Sequence, residues 1–342
     1  MIDLTIAPST DPVSIYRHRD ALYASDMFIA ALKGFDFFTW LADGPQTIES
    51  ICRHFNFHLR PVDVMTTLFV ASGWLTRDGE QLSVTESARE HLVAGSPWFI
   101  GPYFPEVTDR VIATDLLKCL KTGNPANFAS RKDHQDWHKA METDVFAKEF
   151  TAMMDCRGVL LAQALAKNLN LAGRKRLLDI AGGSGVYACS LAAHHPGLHA
   201  TVLDKSPVDK IAAGAIQDRG FSDRVDVVPS DMLNTPLPSG YDIHLFSNVL
   251  HDWDVDLVKQ LLKTSAASIE PGGLMIVHDT FLNADKSGPL HVAEYSVLLM
   301  HVTQGRCYSE KEISDWAGEV GFQPVEHVQS AAVRSALVFQ KH

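Results

Sequence analysis

Cysteine is scarce and scattered in this chain. Its 342 residues include five: Cys52, Cys119, Cys156, Cys189 and Cys307, an odd number with no CxxC pair. That spacing excludes a disulfide framework and a cysteine zinc site, and it points to a reducing compartment. Positive charge is also short. Lys and Arg number 30 against 41 Asp and Glu, a formal net charge of −11. Such a balance argues against non-specific attraction to nucleic acid or to an anionic membrane. No apolar run approaches the ~18 residues of a membrane span. The stretch Met1-Ile2-Asp3-Leu4-Thr5 has no basic or apolar leader character, so the expectation is a soluble cytoplasmic protein. The hydrophobic share is 46%, enough for a real core, and the length allows two domains.

The first half reads as helical. Ile15, Leu22, Met27, Ile29, Leu32, Phe35, Phe38 and Leu41 recur at helical spacing over 13–42, and Gly44-Pro45 ends the run. Thr47 caps a short helix with Ile48, Ile51 and Phe55. Another helix follows Arg60-Pro61 and stops at Gly73. Asp78-Gly79 between two short alternating runs signals a hairpin. Two helices and a hairpin make a winged-helix layout. Its presumed recognition helix, 60–72, has Arg60 as its cation and also carries Asp63, poor equipment for phosphate contacts. A packing or dimer surface is the better reading. Over 93–142, Gly and Pro break the pattern. The aromatics there (Trp98, Phe99, Tyr103, Phe104, Trp137, with His138) read as core in preference to a substrate wall, and Ser130-Arg131-Lys132-Asp133 is a polar run. Residues 143–168 read as one long helix. If it lines a cleft, Met153 and Met154 are adaptable walls for an apolar ligand.

The second half alternates. Strands are expected at 176–180, 199–203, 224–228, 241–246, 273–279 and 335–340, with helices at 186–194, 206–218, 254–269 and 309–320. This pattern implies a mainly parallel sheet with ligands at the carboxyl ends of its strands. The first strand ends in Asp179 and a glycine cluster, Gly182, Gly183 and Gly185. The second ends in Asp204, 19 positions after Gly185, close to the offset of an acid that accepts ribose hydroxyls. After the third come Asp231, suited to a nucleobase amino group, and Met232, suited to its face. The fourth leads to Ser247 and His251-Asp252, and the fifth ends in His278-Asp279. The glycine cluster lacks the Gly-Lys-Ser/Thr ending of a P-loop and the GxGxxG spacing of a dinucleotide site. It has no basic partner, and the neighbouring acids would repel phosphate. A cationic nucleoside fits better, and S-adenosylmethionine is one.

Taken together, Leu178-Asp179-Ile180-Ala181-Gly182-Gly183-Ser184-Gly185, Asp204, Asp231-Met232, Leu250-His251-Asp252-Trp253-Asp254, Pro271-Gly272-Gly273 and Gly305-Arg306 resemble a class I S-adenosylmethionine-dependent methyltransferase. With the first half included, the chain is similar to the plant caffeic-acid and bacterial small-molecule O-methyltransferases, acetylserotonin-type enzymes among them. The resemblance implies an α/β fold: a Rossmann-like domain with a mainly parallel seven-stranded sheet, preceded by a mostly helical winged-helix dimerisation domain. It implies boundaries at 1–95 (dimerisation), 96–165 (helical linker contributing to the substrate cleft) and 166–342 (cofactor domain), and a homodimer. The implied cofactor is S-adenosylmethionine, held by Asp179, Gly182, Gly183, Gly185, Asp204, Asp231, Met232 and Ser247. The implied activity is methyl transfer to a hydroxyl of a small, aromatic secondary metabolite.

In that family a histidine takes the acceptor's proton, and His251 matches it. Its orienting carboxylate lies 28 positions on, at Asp279, where relatives more often carry Glu. A second acid of plant members is replaced by Cys307. Met153, Met154, Asp252, His291 and His301 are expected on the acceptor side. The histidines leave a rival open: His251, Asp252 and His301 as a facial metal set for carbon methylation of an α-keto acid. A binding module that has kept the cofactor pocket is a third reading, and a nitrogen acceptor a fourth. Ala181, where relatives usually have Gly, should be tolerated if its side chain points away from the cofactor.

Overall fold

The computed structural model describes residues 3–126 and 137–342, without the side chains of Trp137 and His138. The polar run 130–133 and those two side chains therefore lie outside the described residues. The chain divides into two compact units. One joins Met1–Ser14, Asp133–Phe281 and Glu310–His342, and the other joins Ile15–Lys132 and Leu282–Ser309.

The second of these is helical. The run 13–42 is not continuous: Ala24–Ile29, a π turn Ala30–Gly34 and Phe37–Leu41 follow one another. Asp36 makes the last break. Its backbone is left-handed at φ 50, and its carboxylate accepts from the Thr39 hydroxyl at 2.7 Å, a local bond that lets Asp hold this conformation. The Thr47 hydroxyl caps Ile48–Phe55 by accepting from the Ser50 amide at 3.2 Å. Helix Leu59–Ala71 buries Val62, Val64, Met65, Leu68 and Phe69. Strands β1 (Leu75–Asp78) and β2 (Gln81–Val84) pair antiparallel, Leu75 opposite Val84. Gly79 opens their two-residue turn at φ 58, a conformation that favours glycine. Aromatic rings fill the core between these elements, with Phe28 and Trp74 at 4.6 Å and Phe38 and Phe69 at 5.1 Å between centroids.

The core reading of the 93–142 aromatics needs correction. Phe99 and Phe104 pack against the core, but Trp98 is 60% and Tyr103 88% exposed. Pro97 and the tight turn Gly101–Tyr103 deny that stretch a continuous buried face. The same region also holds a regular helix, Val111–Thr122, closed by Gly123.

Arg60 has a specific duty in this unit. Its guanidinium donates to the carbonyls of Met300, Thr303 and Gly305 at 3.3, 3.0 and 2.9 Å, and to that of Gly123 at 2.9 Å. These carbonyls lie at the ends of helices Leu290–Val302 and Val111–Thr122 or just past them, where backbone acceptors have no partner within the helix. The cation of the presumed recognition helix is thus turned into its own unit. Replacing Arg60 with Ala should lower stability by about 2–4 kcal/mol, read as a fall in the denaturant midpoint. A change below ~0.5 kcal/mol, the range of ordinary surface substitutions, would refute the capping role.

The other unit is a seven-stranded sheet in the order β5-β4-β3-β6-β7-β9-β8. Its strands are β3 (Arg176–Ile180), β4 (His199–Asp204), β5 (Val225–Pro229), β6 (Ile243–Ser247), β7 (Leu274–Asp279), β8 (Phe322–Gln329) and β9 (Ser335–Lys341). The strands β3 to β7 run parallel, and β9 and β8 close one edge antiparallel. The middle strands β3, β6 and β7 are buried almost end to end, as strands covered on both faces must be. Strand order reverses at β3, which pairs with β4 on one side and β6 on the other. That reversal opens a crevice at the carboxyl ends. The sequence pattern marks six of the seven strands and misses β8. It is an edge strand, mostly exposed, interrupted by Pro324 beside a register shift, so it carries no apolar run to see.

Candidate active site

At the end of β3 the chain turns through the glycine cluster into helix Val186–His194. A side chain at Gly182 would put its Cβ 2.7 Å from the Asp179 carboxylate. At Gly185 the backbone is left-handed at φ 73, and a Cβ would lie 3.1 Å from Ile216 and Val202. Both positions therefore demand glycine. Ala181 also lies in the left-handed region, at φ 55. A side chain in that conformation strains the backbone by about 1–2 kcal/mol, whatever its methyl group faces.

Asp179 is buried, and neither carboxylate oxygen has a hydrogen-bond partner. Burial pushes its carboxyl up to about 7; the nearby Ala188 amide offsets only part of this, and the charge of Asp204 adds to it. Asp204, at the end of β4, accepts from the amides of Gly183 at 2.9 Å and Lys205 at 2.8 Å. Burial raises it to about 6 against those two bonds. Asp231 follows β5, its oxygens taken up by the Leu233 amide at 2.9 Å and the Asn234 side chain at 2.8 Å. Met232 beside it is half-buried. Ser247 ends β6 and is hydrogen-bonded to Nδ1 of His278 at 2.9 Å. His278 also meets Ser330 through Nε2 at 2.9 Å, and burial lowers its pKa to about 3, so its imidazole is neutral.

The fit of these residues to a cationic nucleoside rests on Asp179. A buried carboxylate without a donor is an unfavourable group in the protein alone, and a ligand carrying a cation would relieve it. An anionic phosphate would not.

His251 stands in a single turn, Leu250–Asp252, just past β6. It is 4% exposed. Its Nδ1 lies 2.6 Å from Oδ1 of Asp279, so the shorter acid reaches without Glu. Asp279 ends β7 and also accepts from the Thr280 amide at 2.8 Å. Burial works to raise the Asp279 pKa, but the charge and hydrogen bond of His251 and the Thr280 amide hold it below the usual carboxylate range. Asp279 is therefore an ionised acceptor and Nδ1 donates to it, so proton exchange by this ring falls to Nε2. Oδ1 of Asp252 is 3.7 Å from Nε2, beyond a hydrogen bond.

Met153 and Met154 lie on helix Asp144–Asn168 of the sheet unit, and Met153 is 45% exposed. His291 and His301 lie on helix Leu290–Val302 of the helical unit. His301 is a buried packing residue, its ring 4.7 Å from that of Tyr23 and its Nε2 3.7 Å from Asp115. Among the described residues, no group of three or more His, Cys, Asp and Glu side chains is placed to hold a metal ion. Of the set His251, Asp252 and His301, the first two belong to the sheet unit and His301 to the helical unit. Cys307 is buried and outside any disulfide, and its amide donates to Ser296 at 3.1 Å.

Three residues that brace these turns carry no mark in the sequence pattern. Asn248 holds a left-handed backbone at φ 54 and bonds the Tyr187 hydroxyl at 3.0 Å. Asp155 and Arg219 meet Ser184 inside the glycine turn. Ser184 sits in the motif itself and is a visible cue, but its partners, far along the chain, have no sequence signal.

Known proteins resemble this chain over most of its length. Residues 116–323 match the O-methyltransferase domain family. The chain is 29% identical over 294 residues to a 3-hydroxy-5-methyl-1-naphthoate 3-O-methyltransferase of Streptomyces sahachiroi, covering 85% of this chain and 83% of the other. It is 27% identical over 285 residues to the N,N-dimethyltransferase OxyT of Streptomyces rimosus, covering 82% and 81%. Among solved structures, an O-methyltransferase family 2 protein from Planctomyces limnophilus, in complex with apigenin, superposes with a TM-score of 0.88 at 27% identity, covering 100% of this chain and 99% of that one.

Proposed function

This chain belongs to the O-methyltransferase family, and on that footing we propose that it moves the methyl group of S-adenosylmethionine to a hydroxyl of a small aromatic acceptor, with His251 as general base. The observation that carries the base is the 2.6 Å pairing of His251 with Asp279, which fixes the tautomer that leaves Nε2 basic. The hydroxynaphthoate named for the 29% identical relative supports an aromatic acceptor.

When bound, the cofactor supplies an electrophilic methyl group on a cationic sulfur that becomes neutral as it leaves. The chain's residues do the rest. Asp179 pairs with the cofactor's cationic portion, Asp204 accepts from its ribose, and Asp231, Met232 and Ser247 complete the cradle. His251 removes the acceptor proton at Nε2, because a phenol with pKa ~10 is mostly un-ionised at neutral pH. Asp279 and Asp252 stabilise the ring as it becomes charged. Met153 and Met154 furnish apolar wall for the acceptor, and Asp252 a polar contact. In the same reading the helical unit carries the dimer surface. Its exposed Leu22, Trp98, Ile100 and Tyr103 suit an area covered by a second copy. No helix among the described residues is long and apolar enough to cross a membrane, which agrees with a cytoplasmic enzyme.

Incubation with carbon-13-methyl S-adenosylmethionine and a panel of hydroxynaphthoates, flavones, aminoarenes and α-keto acids tests the reading. The expected product carries label on a phenolic oxygen. Label on nitrogen or carbon alone, or no binding of S-adenosylhomocysteine, would overturn it.

A further inference from the structure

Asp155 lies outside the glycine motif, on helix Asp144–Asn168. That helix comes unusually close to the start of helix Val186–His194. At Gly158, one turn beyond Asp155, a Cβ would sit 2.7 Å from the Val186 side chain. The close approach brings the Asp155 carboxylate to the glycine turn. Its Oδ1 accepts from the Ser184 hydroxyl and from Nη2 of Arg219. Arg219 closes the triangle, its Nη1 donating to the Ser184 carbonyl at 3.4 Å and to the Ala215 carbonyl at 3.5 Å. Ser184 and Ala215 belong to two different strand-to-strand connections, so one carboxylate ties three elements together. Burial strengthens the tie, because the side chains of Arg219 and Asp155 are 15% and 26% exposed and Ser184 is 6% exposed.

Ser184 stands between Gly183, whose amide bonds Asp204, and Gly185, whose left-handed backbone begins the helix. A turn this rich in glycine has little stiffness of its own. Without a tie it must be ordered at the moment of binding, at the expense of affinity.

We propose that Asp155 is the positioning residue that holds the glycine turn in its cofactor-binding shape, acting through Ser184 and Arg219. The inference rests on the methyltransferase reading for its ligand but assigns a residue that this reading does not use. It touches neither the cofactor nor the reacting atoms. Its signature is therefore a weaker cofactor dissociation constant and a higher KM for S-adenosylmethionine, with kcat at saturation unchanged.

The test is calorimetric titration of S-adenosylhomocysteine into the full-length protein, well below the melting temperature of every variant. Asp155→Ala should weaken binding about tenfold. Asp155→Asn keeps an oxygen for Ser184 and should recover most of that loss. Ser184→Ala should weaken binding to a similar extent, and the double variant Asp155→Ala with Ser184→Ala should be no worse than Asp155→Ala alone, because both remove one tie. Binding within twofold of wild type in Asp155→Ala, or additive losses in the double variant, would overturn the proposal. A role in stability alone would lower the melting temperature and leave the dissociation constant in place. Should Asp155→Ala fail to fold, Asp155→Asn and Ser184→Ala decide by the same comparison. If the wild-type protein itself does not bind S-adenosylhomocysteine, the methyltransferase reading falls first.

Discussion

Replacing His251 with Ala lowers kcat by about 10²–10⁴-fold, the range expected for a lost general base, and leaves S-adenosylhomocysteine affinity within about twofold. The separation follows from where the side chain sits. His251 is one turn past β6 and bonded to Asp279, while most of the groups assigned to the cofactor lie after β3, β4 and β5. Asp279→Asn should fall in the same range for a different reason. An amide can present its NH2 to Nδ1, which selects the tautomer with the proton on Nε2, where the base must accept one. Asp279→Asn should also be destabilised, because it loses a charge-assisted bond between groups that are 5% exposed each. His251→Ala leaves Asp279 buried without its partner and should melt lower as well, so cofactor titration is needed to show that each variant is folded. Full turnover by folded His251→Ala at neutral pH would remove it from the reaction. A rate that recovers as pH rises toward the phenol pKa would instead mark a base no longer needed once the acceptor ionises unaided.

How much of the fold and site is legible in the sequence depends on the scale at which each feature is written. The parallel strands are plain, because a strand buried on both faces is a short apolar run, as in Leu274 to Val277. β8 is not, because its residues answer to an edge with solvent beside it, and Pro324 disguises it further. The pairing of His251 with Asp279 can be anticipated from the resemblance and the register of two adjacent strand ends, with Ser247 opposite His278. The tie from Asp155 to Ser184 cannot. Helical periodicity assigns Asp155 to a face but does not say what that face meets, and the answer depends on Gly158 letting one helix approach another. Ala181 shows the converse. Its substitution is visible, yet its consequence lies in a backbone angle, which a side-chain argument does not reach.

Asp179→Asn should make the cofactor-free protein more stable at pH 8 and nearly abolish cofactor binding. The sign follows from the carboxyl's raised pKa of about 7 against an ordinary 3.8. Below about pH 4 both folded and unfolded chains hold the proton, and the site carries no charge penalty. Between the two values the folded chain keeps a proton that the unfolded chain has lost, so this group's contribution to stability falls as pH rises. Above about 7 the penalty is full, on the order of 4 kcal/mol. Asn mimics the neutral acid at every pH. The two proteins should therefore melt together near pH 4 and diverge toward pH 8, with the variant higher by about 1–3 kcal/mol once the cost of an unpartnered amide is deducted. The cofactor reverses the order. Its α-ammonium, which S-adenosylhomocysteine retains, requires the ionised carboxylate, so wild-type affinity for S-adenosylhomocysteine should weaken toward tenfold per pH unit below about 7, a slope that Asp179→Asn should lack. Loss of this buried charge partner should cost the variant about 30–1,000-fold in affinity. Melting curves from pH 4 to 8, with and without S-adenosylhomocysteine, read both halves at once. Parallel curves for the two cofactor-free proteins would show that Asp179 is not held in a raised state. Equal ligand-induced shifts would show that no cation pairs with it.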